Sequence, residues 1–222
     1  MIQCLNCRGC PGLNSLPNTG IWQNWGDDYT SVINDLQDIE LLIVGQDPYR
    51  TRATGIAFCK PTWHELLDDQ YCALTLFCSL GINLKKASFD VSRFPTPKEF
   101  FIWLAGEHRV VFVNALIKKT KKRENDIHNT NAQTWLNKAK YSILCGKFSQ
   151  TSSRVNEDAN HIYVDHPSGL NRLNPLTSSK WLSTWGHCGS LLDTIKNKSV
   201  KMKPSQTYTD ISQIVDGINA SI

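Results

Sequence analysis

The chain alternates short apolar runs with longer segments of mixed polarity. Ile39–Val44 (IELLIV) is an apolar run of strand length, followed at once by Gly45. Val110–Val113 (VVFV), Tyr141–Cys145 (YSILC) and His161–Val164 (HIYV) have the same character. Apolar runs of this length suit strands buried on both faces of a parallel sheet. Between them the apolar positions recur at helical spacing. The pattern predicts helices near Tyr29–Leu36, Trp63–Leu80, Lys98–Ala105, Ala132–Lys140, Phe148–Asn156 and Ser178–Lys198. Strand alternating with helix implies an α/β fold, a three-layer αβα arrangement around a central four-stranded parallel sheet.

The same pattern bounds the domain. Residues 1–198 read as a single unit, with a Cys/Gly/Pro-rich extension over 1–28 packed on it. From Ser199 the chain turns polar, and Lys201, Lys203 and Pro204 mark a linker. Residues 199–222 therefore read as a polar tail, with one short helix possible over Asp210–Ile218.

In parallel α/β sheets ligands bind beyond the carboxyl ends of the strands. The residues just past each run are thus the candidates for chemistry. They are Gln46-Asp47-Pro48-Tyr49, Asn114, Gly146-Lys147 and His166-Pro167-Ser168. Pro48 biases Asp47 away from the α region and sets its carboxylate on a constrained turn. Asn114 offers a donor and an acceptor from one planar amide, which suits the edge of a base. His166 is an acid, a base or a neutral donor according to its surroundings. Leu170 sits in a short polar loop (SGLNRLN), beside Asn171 and Arg172, which suit phosphates. Each residue taken singly has an ordinary structural reading: a capped turn, a loop-holding amide, a satellite contact.

Composition narrows the picture only slightly. With 222 residues, 41% hydrophobic and 20% charged, the chain is an ordinary globular one. A net charge of +4 agrees with a nucleic-acid partner without requiring one. The N-terminus lacks an apolar h-region and no run approaches a membrane span, so an intracellular protein with mostly reduced thiols is expected.

In combination, GQDPY, the Gly55-Ile56-Ala57-Phe58 segment, VNA at 113–115 and HPSGL at 166–170 resemble the motifs of the family-one uracil-DNA glycosylases. The resemblance runs from about Ile39 to Trp185 and implies a uracil-DNA glycosylase-like fold. It implies a cofactor-free base-excision repair enzyme that flips uracil out of DNA and hydrolyses its N-glycosidic bond. On that resemblance Asp47 orients the attacking water and stabilises the cationic sugar, and His166 donates to O2 of the leaving base. Gln46 gives backbone contacts, Tyr49 excludes thymine's methyl, Phe58 stacks on the base and Asn114 reads N3 and O4. Leu170 fills the gap in the duplex. Arg50, Pro61, Thr62, Gly146, Lys147, Ser168 and Arg172 are the implied DNA contacts. The implied partner is uracil-containing DNA, single- or double-stranded, bound by a monomer that a protein of the uracil-glycosylase-inhibitor type would block. The compartment would be the cytoplasm of a prokaryote, or the nucleus for a eukaryotic or viral protein.

The chain departs from the family at several points. Arg50 stands where His is usual, Gly169 replaces a second Pro, Lys147 replaces a small Ser, and the proline-rich loop is reduced to Pro61. Cys4, Cys7 and Cys10 have ligand-like C-x2-C-x2-C spacing, without a matching downstream pair. Reduced structural thiols are the reading preferred over a metal. Three other functions remain in view. One is a glycosylase of altered choice, such as hypoxanthine. Another is a DNA-binding accessory protein of the same fold. The third is a nucleotide-binding α/β protein, which would need a Gly-rich phosphate loop that the first strand lacks.

Overall fold

A computed structural model describes residues 25–46, 53–68, 72–118, 127–168, 179–202 and 206–222. Four strands form the central sheet: β1 (Ile39–Gly45), β2 (Val110–Asn114), β5 (Ala139–Cys145) and β6 (His161–Val164). Their order is β2-β1-β5-β6 and every pairing is parallel. A two-stranded antiparallel ribbon, β3 (Leu116–Lys118) with β4 (Ile127–His128), comes directly after β2.

Successive residues of a strand face opposite sides of the sheet. Leu41, Leu42, Ile43 and Val44 are all buried, so both faces of β1 are covered. On one face Phe112 of β2 meets Phe77 and Phe101, each 5.1 Å away between ring centroids. Those rings come from α3 (Ala73–Leu80) and α5 (Pro97–His108). On the other face Val44 borders a cavity together with Leu136 of α6 (Thr130–Lys138) and Ser152 of α7 (Lys147–Ser152). Helices on both faces make this the layered α/β arrangement expected from the strand pattern.

The remaining helices are α1 (Gly26–Asp35), α2 (Trp63–Asp68), α4 (Leu84–Phe89), α8 (Ser179–Trp185), α9 (Ser190–Met202) and α10 (Gln206–Ser221). Local chemistry sets the ends of α5. Thr96 and Glu99 form a capping box, with Pro97 just inside the first turn. Arg109 closes the helix in the left-handed region at φ 52°.

Several expectations need correction. Within the span expected as one helix, Trp63–Leu80, there are two, α2 ending at Asp68 and α3 starting at Ala73 after Cys72, whose backbone is not helical (φ −145°, ψ −90°). The helix expected over Ser178–Lys198 is likewise divided, α8 ending at Trp185 and α9 starting at Ser190 past two glycines. Ala139 and Lys140 belong to a strand, because Ala139 pairs with Ile39 in the parallel ladder. The polar tail expected over 199–222 does not exist as such. α9 runs on to Met202, and α10 buries Thr207, Ile211, Val215 and Ile218 along one face. Its polar groups are tied in as well: Asn219 Nδ2 donates to Gly81 O at 2.9 Å and Thr207 Oγ1 to Ala159 O at 2.8 Å. α10 is part of the domain. Most of the N-terminal extension, residues 1–24, lies outside the described residues.

Among the described residues no helix is long and apolar enough to cross a membrane. Cys59, Cys72, Cys145 and Cys188 are free thiols, whereas Cys78 is disulfide-bonded, an oxidised site in a chain expected to keep most thiols reduced.

Candidate active site

The strand register brings the candidate residues to one edge. Gly45 pairs with Asn114, and Cys145, next to Gly146, pairs with Val164 two residues before His166. The carboxyl ends of all four strands thus lie side by side. Past the strand ends the backbone stays fixed: Ala115 N–H donates to Gly45 O at 2.9 Å and Leu116 N–H to Gln46 O at 3.0 Å. Gln46, half-buried, is the last described residue before Asp47.

Phe58 arrives from the loop after β1. Thr54, 1% exposed, organises that loop: its hydroxyl accepts from Ile56 N–H at 3.3 Å and lies 3.5 Å from Cys59 O. The turn holds Phe58 at φ 61°, in the left-handed region that a bulky residue enters at a cost of about 1–2 kcal/mol. Its ring is almost wholly buried and faces the His166 ring, with centroids 6.1 Å apart and planes 29° from parallel.

Asn114 is half-buried at the end of β2. Its carbonyl accepts from Asn129 Nδ2 at 3.0 Å, which anchors the residue from the α6 side. Gly45 explains how the amide and the ring come so close together. A Cβ there would sit 2.8 Å from Asn114 Oδ1, closer than Cβ atoms approach, and 3.0 Å from Phe58 Cζ, a tight contact. Only glycine leaves that space to the two side chains.

His166 is held by Ser168, two residues further along the loop. Ser168 N–H donates to His166 Nδ1 at 3.2 Å, and Ser168 Oγ lies 2.8 Å from the same nitrogen. A backbone N–H can only donate, so Nδ1 is an acceptor and the neutral ring carries its proton on Nε2. Trp181 Nε1 fixes the loop by donating to Pro167 O at 3.1 Å. Gly146, at φ 91°, lies directly beneath the ring; a Cβ on it would come within 3.1 Å of His166 Cβ.

The edge therefore gathers an aromatic face, a carboxamide and a neutral imidazole N–H donor. That set fits a flat, polar heterocycle: the ring for stacking, the amide for its edge, the imidazole for an oxygen that gains negative charge. A thiolate nucleophile does not belong to it. Burial pushes the thiols of Cys59 and Cys145, beside Phe58 and Gly146, far above neutrality.

The other expected residues divide. Thr62 is 4% exposed, and its hydroxyl accepts from Glu65 N–H at 3.2 Å, starting α2; Pro61 beside it is buried. The Thr62 hydroxyl is thus engaged in a helix cap. Ser168 likewise spends its hydroxyl on His166. Lys147 is exposed at the start of α7. Asp47, Tyr49, Arg50, Leu170, Arg172 and Cys4, Cys7 and Cys10 lie outside the described residues. Thr54, Asn129 and Trp181 were not singled out in the sequence. Each holds the backbone next to a candidate side chain through a contact that no linear motif reveals.

No protein-family model matches the chain, and no curated protein matches it.

Proposed function

We propose that the protein is a uracil-DNA glycosylase that hydrolyses the N-glycosidic bond of uracil in DNA and leaves an abasic site. The meeting of Phe58, Asn114 and the Nε2–H tautomer of His166 around Gly45 and Gly146 carries this reading. The GQDPY and HPSGL segments support it from the sequence.

A base within a duplex is out of reach, so the nucleotide rotates out, at a cost of a few kcal/mol. Stacking on Phe58 offsets roughly 1–3 kcal/mol of it. The Asn114 amide reads N3–H and O4. Cytosine presents an amino group in place of O4 and leaves the amide mispaired, a mismatch worth about 10⁴ or more in rate. Thymine differs only by a methyl, which Tyr49 excludes sterically. As the C1′–N1 bond breaks, the sugar gains positive charge and the base negative charge. The Asp47 carboxylate, next in the chain after Gln46, stabilises the sugar and orients the water. His166 Nε2–H donates to O2. Donors and charges fixed in advance for the separated charges supply the largest part of such catalysis.

The test uses labelled strands carrying uracil, thymine, cytosine or hypoxanthine, followed by alkali to cut abasic sites. Cleavage confined to the uracil strand is the expected result. Preferential cleavage of the hypoxanthine strand would replace uracil by a purine substrate, and binding without cleavage of any strand would leave an accessory protein.

A further inference from the structure

The end of β1 separates two different surroundings. Gly45 borders the amide and the aromatic ring, whereas Val44 faces the opposite side of the sheet and a cavity of about 270 Å³ between α6 and α7. Ala115, the residue after Asn114, also lines it. The cavity is thus one residue away from the candidate active site on both β1 and β2.

Its polar lining is cationic and donating. Arg154, His128 and Thr130 all border it, and among the described residues that line it none is an aspartate or glutamate. All three are exposed, and none of their side chains has a hydrogen bond or ion pair with a described residue. His128 is nonetheless fixed in place, its ring stacked on Phe148 with centroids 5.8 Å apart. Arg154 is held at φ 55°, a left-handed backbone that Arg adopts at a cost and that glycine would adopt freely. Arg154, on a strained backbone and without a hydrogen-bond or ion-pair partner among the described residues, borders a cavity whose described lining also holds the hydrogen-bonding groups of His128 and Thr130 and no carboxylate. Together these have the makings of an anion site.

We propose that this cavity holds one phosphodiester group of the DNA strand beside the nucleotide to be excised. The proposal rests on the glycosylase reading for the identity of the polymer. Arg154 supplies the charge, and His128 and Thr130 supply hydrogen bonds to the phosphate oxygens.

The experiment measures binding of the full chain to a labelled, uracil-free oligonucleotide by fluorescence anisotropy, across a salt series. The proteins compared are the parent, Arg154→Gly, Arg154→Glu, Arg154→Lys and, as a control cation on α9, Lys196→Ala. Arg154→Gly should bind several-fold more weakly at low salt. Its plot of log affinity against log salt should be shallower by about 0.7–0.9, the loss of one phosphate contact. Its Tm should equal or exceed the parent's, because glycine relaxes the backbone. Arg154→Glu should bind more weakly still, while Arg154→Lys and Lys196→Ala should keep the parent slope.

Parent-like affinity and slope in both Arg154→Gly and Arg154→Glu would overturn the proposal, as would a fall in Tm that accounts for the lost binding. A Tm raised by inorganic phosphate, with a DNA slope indifferent to Arg154, would mean that the cavity holds free phosphate and would also overturn it. Because the DNA contains no uracil, this result stands apart from the excision assay. A changed slope in a protein that releases no base rejects the glycosylase reading alone.

Discussion

At the level of single residues, the site depends on space as much as on functional groups. Gly45→Ala is the sharpest expression of this. The added methyl collides with the Asn114 amide and the Phe58 ring and must displace at least one of them. The substitution should lower uracil release more than about 10-fold, as misplacement of positioning groups does, while Tm changes by only a few degrees. A Gly45→Ala enzyme as fast as the parent would mean that the two side chains are not the base-holding pair. Ser168→Ala should have a milder effect, a loss of rate without loss of DNA binding, because Ser168 N–H still holds the tautomer. The placement of Gln46, Phe58, Asn114 and His166 at one edge of the sheet was legible in the sequence because each sits at or just past a strand end, or in a matching segment. Thr54, Asn129 and Trp181 were not legible. Their contribution is a contact with a distant backbone atom, and a polar residue in a loop carries no linear sign of such a partner.

Among the elements, the four strands of the central sheet were readable to within two residues, because burial on both faces writes itself as an apolar run, whereas the short ribbon of β3 and β4 has no such run and was not read. Helices were readable where one apolar face persisted and were misread where a short interruption divides them, as between α2 and α3. The burial of the C-terminal helix, read as a short helix in a polar tail, was the largest miss. Its buried positions, Thr207, Ile211, Val215 and Ile218, are at helical spacing, but Thr207 opens the series with a polar residue and Lys201, Lys203 and Pro204 precede it. The structure predicts that Ile211→Ala, at a fully buried site, costs about 2–5 kcal/mol. Tm should drop by more than about 5 °C, and deletion of 206–222 should prevent folding. A stable, soluble protein lacking these residues would restore the tail reading. Thr96→Ala removes one side of the α5 capping box and should cost about 1 kcal/mol, visible as a Tm lowered by about 2–4 °C.

In the molecule as a whole, α10 is joined to the sheet by a polar cluster around Asp210, and acid should weaken it. Asp210 Oδ2 accepts from Tyr141 Oη at 2.7 Å and from Lys140 Nζ at 2.8 Å. Hydrogen bonds from Lys140, Tyr141 and Gln206 hold the Asp210 carboxyl down at about 2, below its ordinary value near 3.8. A depressed carboxyl stabilises the fold above its unfolded value and ceases to do so as pH falls through the folded one. Stability should therefore decline between about pH 4 and pH 2. Asp210→Asn should flatten that decline and cost roughly 1 kcal/mol at neutral pH, given the screening around half-exposed Lys140. Melting curves from pH 2 to 7 check both statements. Identical pH profiles for the two proteins would mean that the cluster does not set acid sensitivity.

The proposed chemistry divides one breaking bond between two residues: an aspartate after β1 serves the sugar, and a histidine after β6 serves the base. The decisive measurement quantifies free uracil released from a single-stranded uracil oligonucleotide by the parent, Asp47→Asn and His166→Ala. The parent should release uracil. Each variant should be slower by at least about 10², the scale of losing a preorganised charge or donor, with unchanged melting curves. No uracil from the parent, or undiminished rates in both variants, would contradict this division of roles.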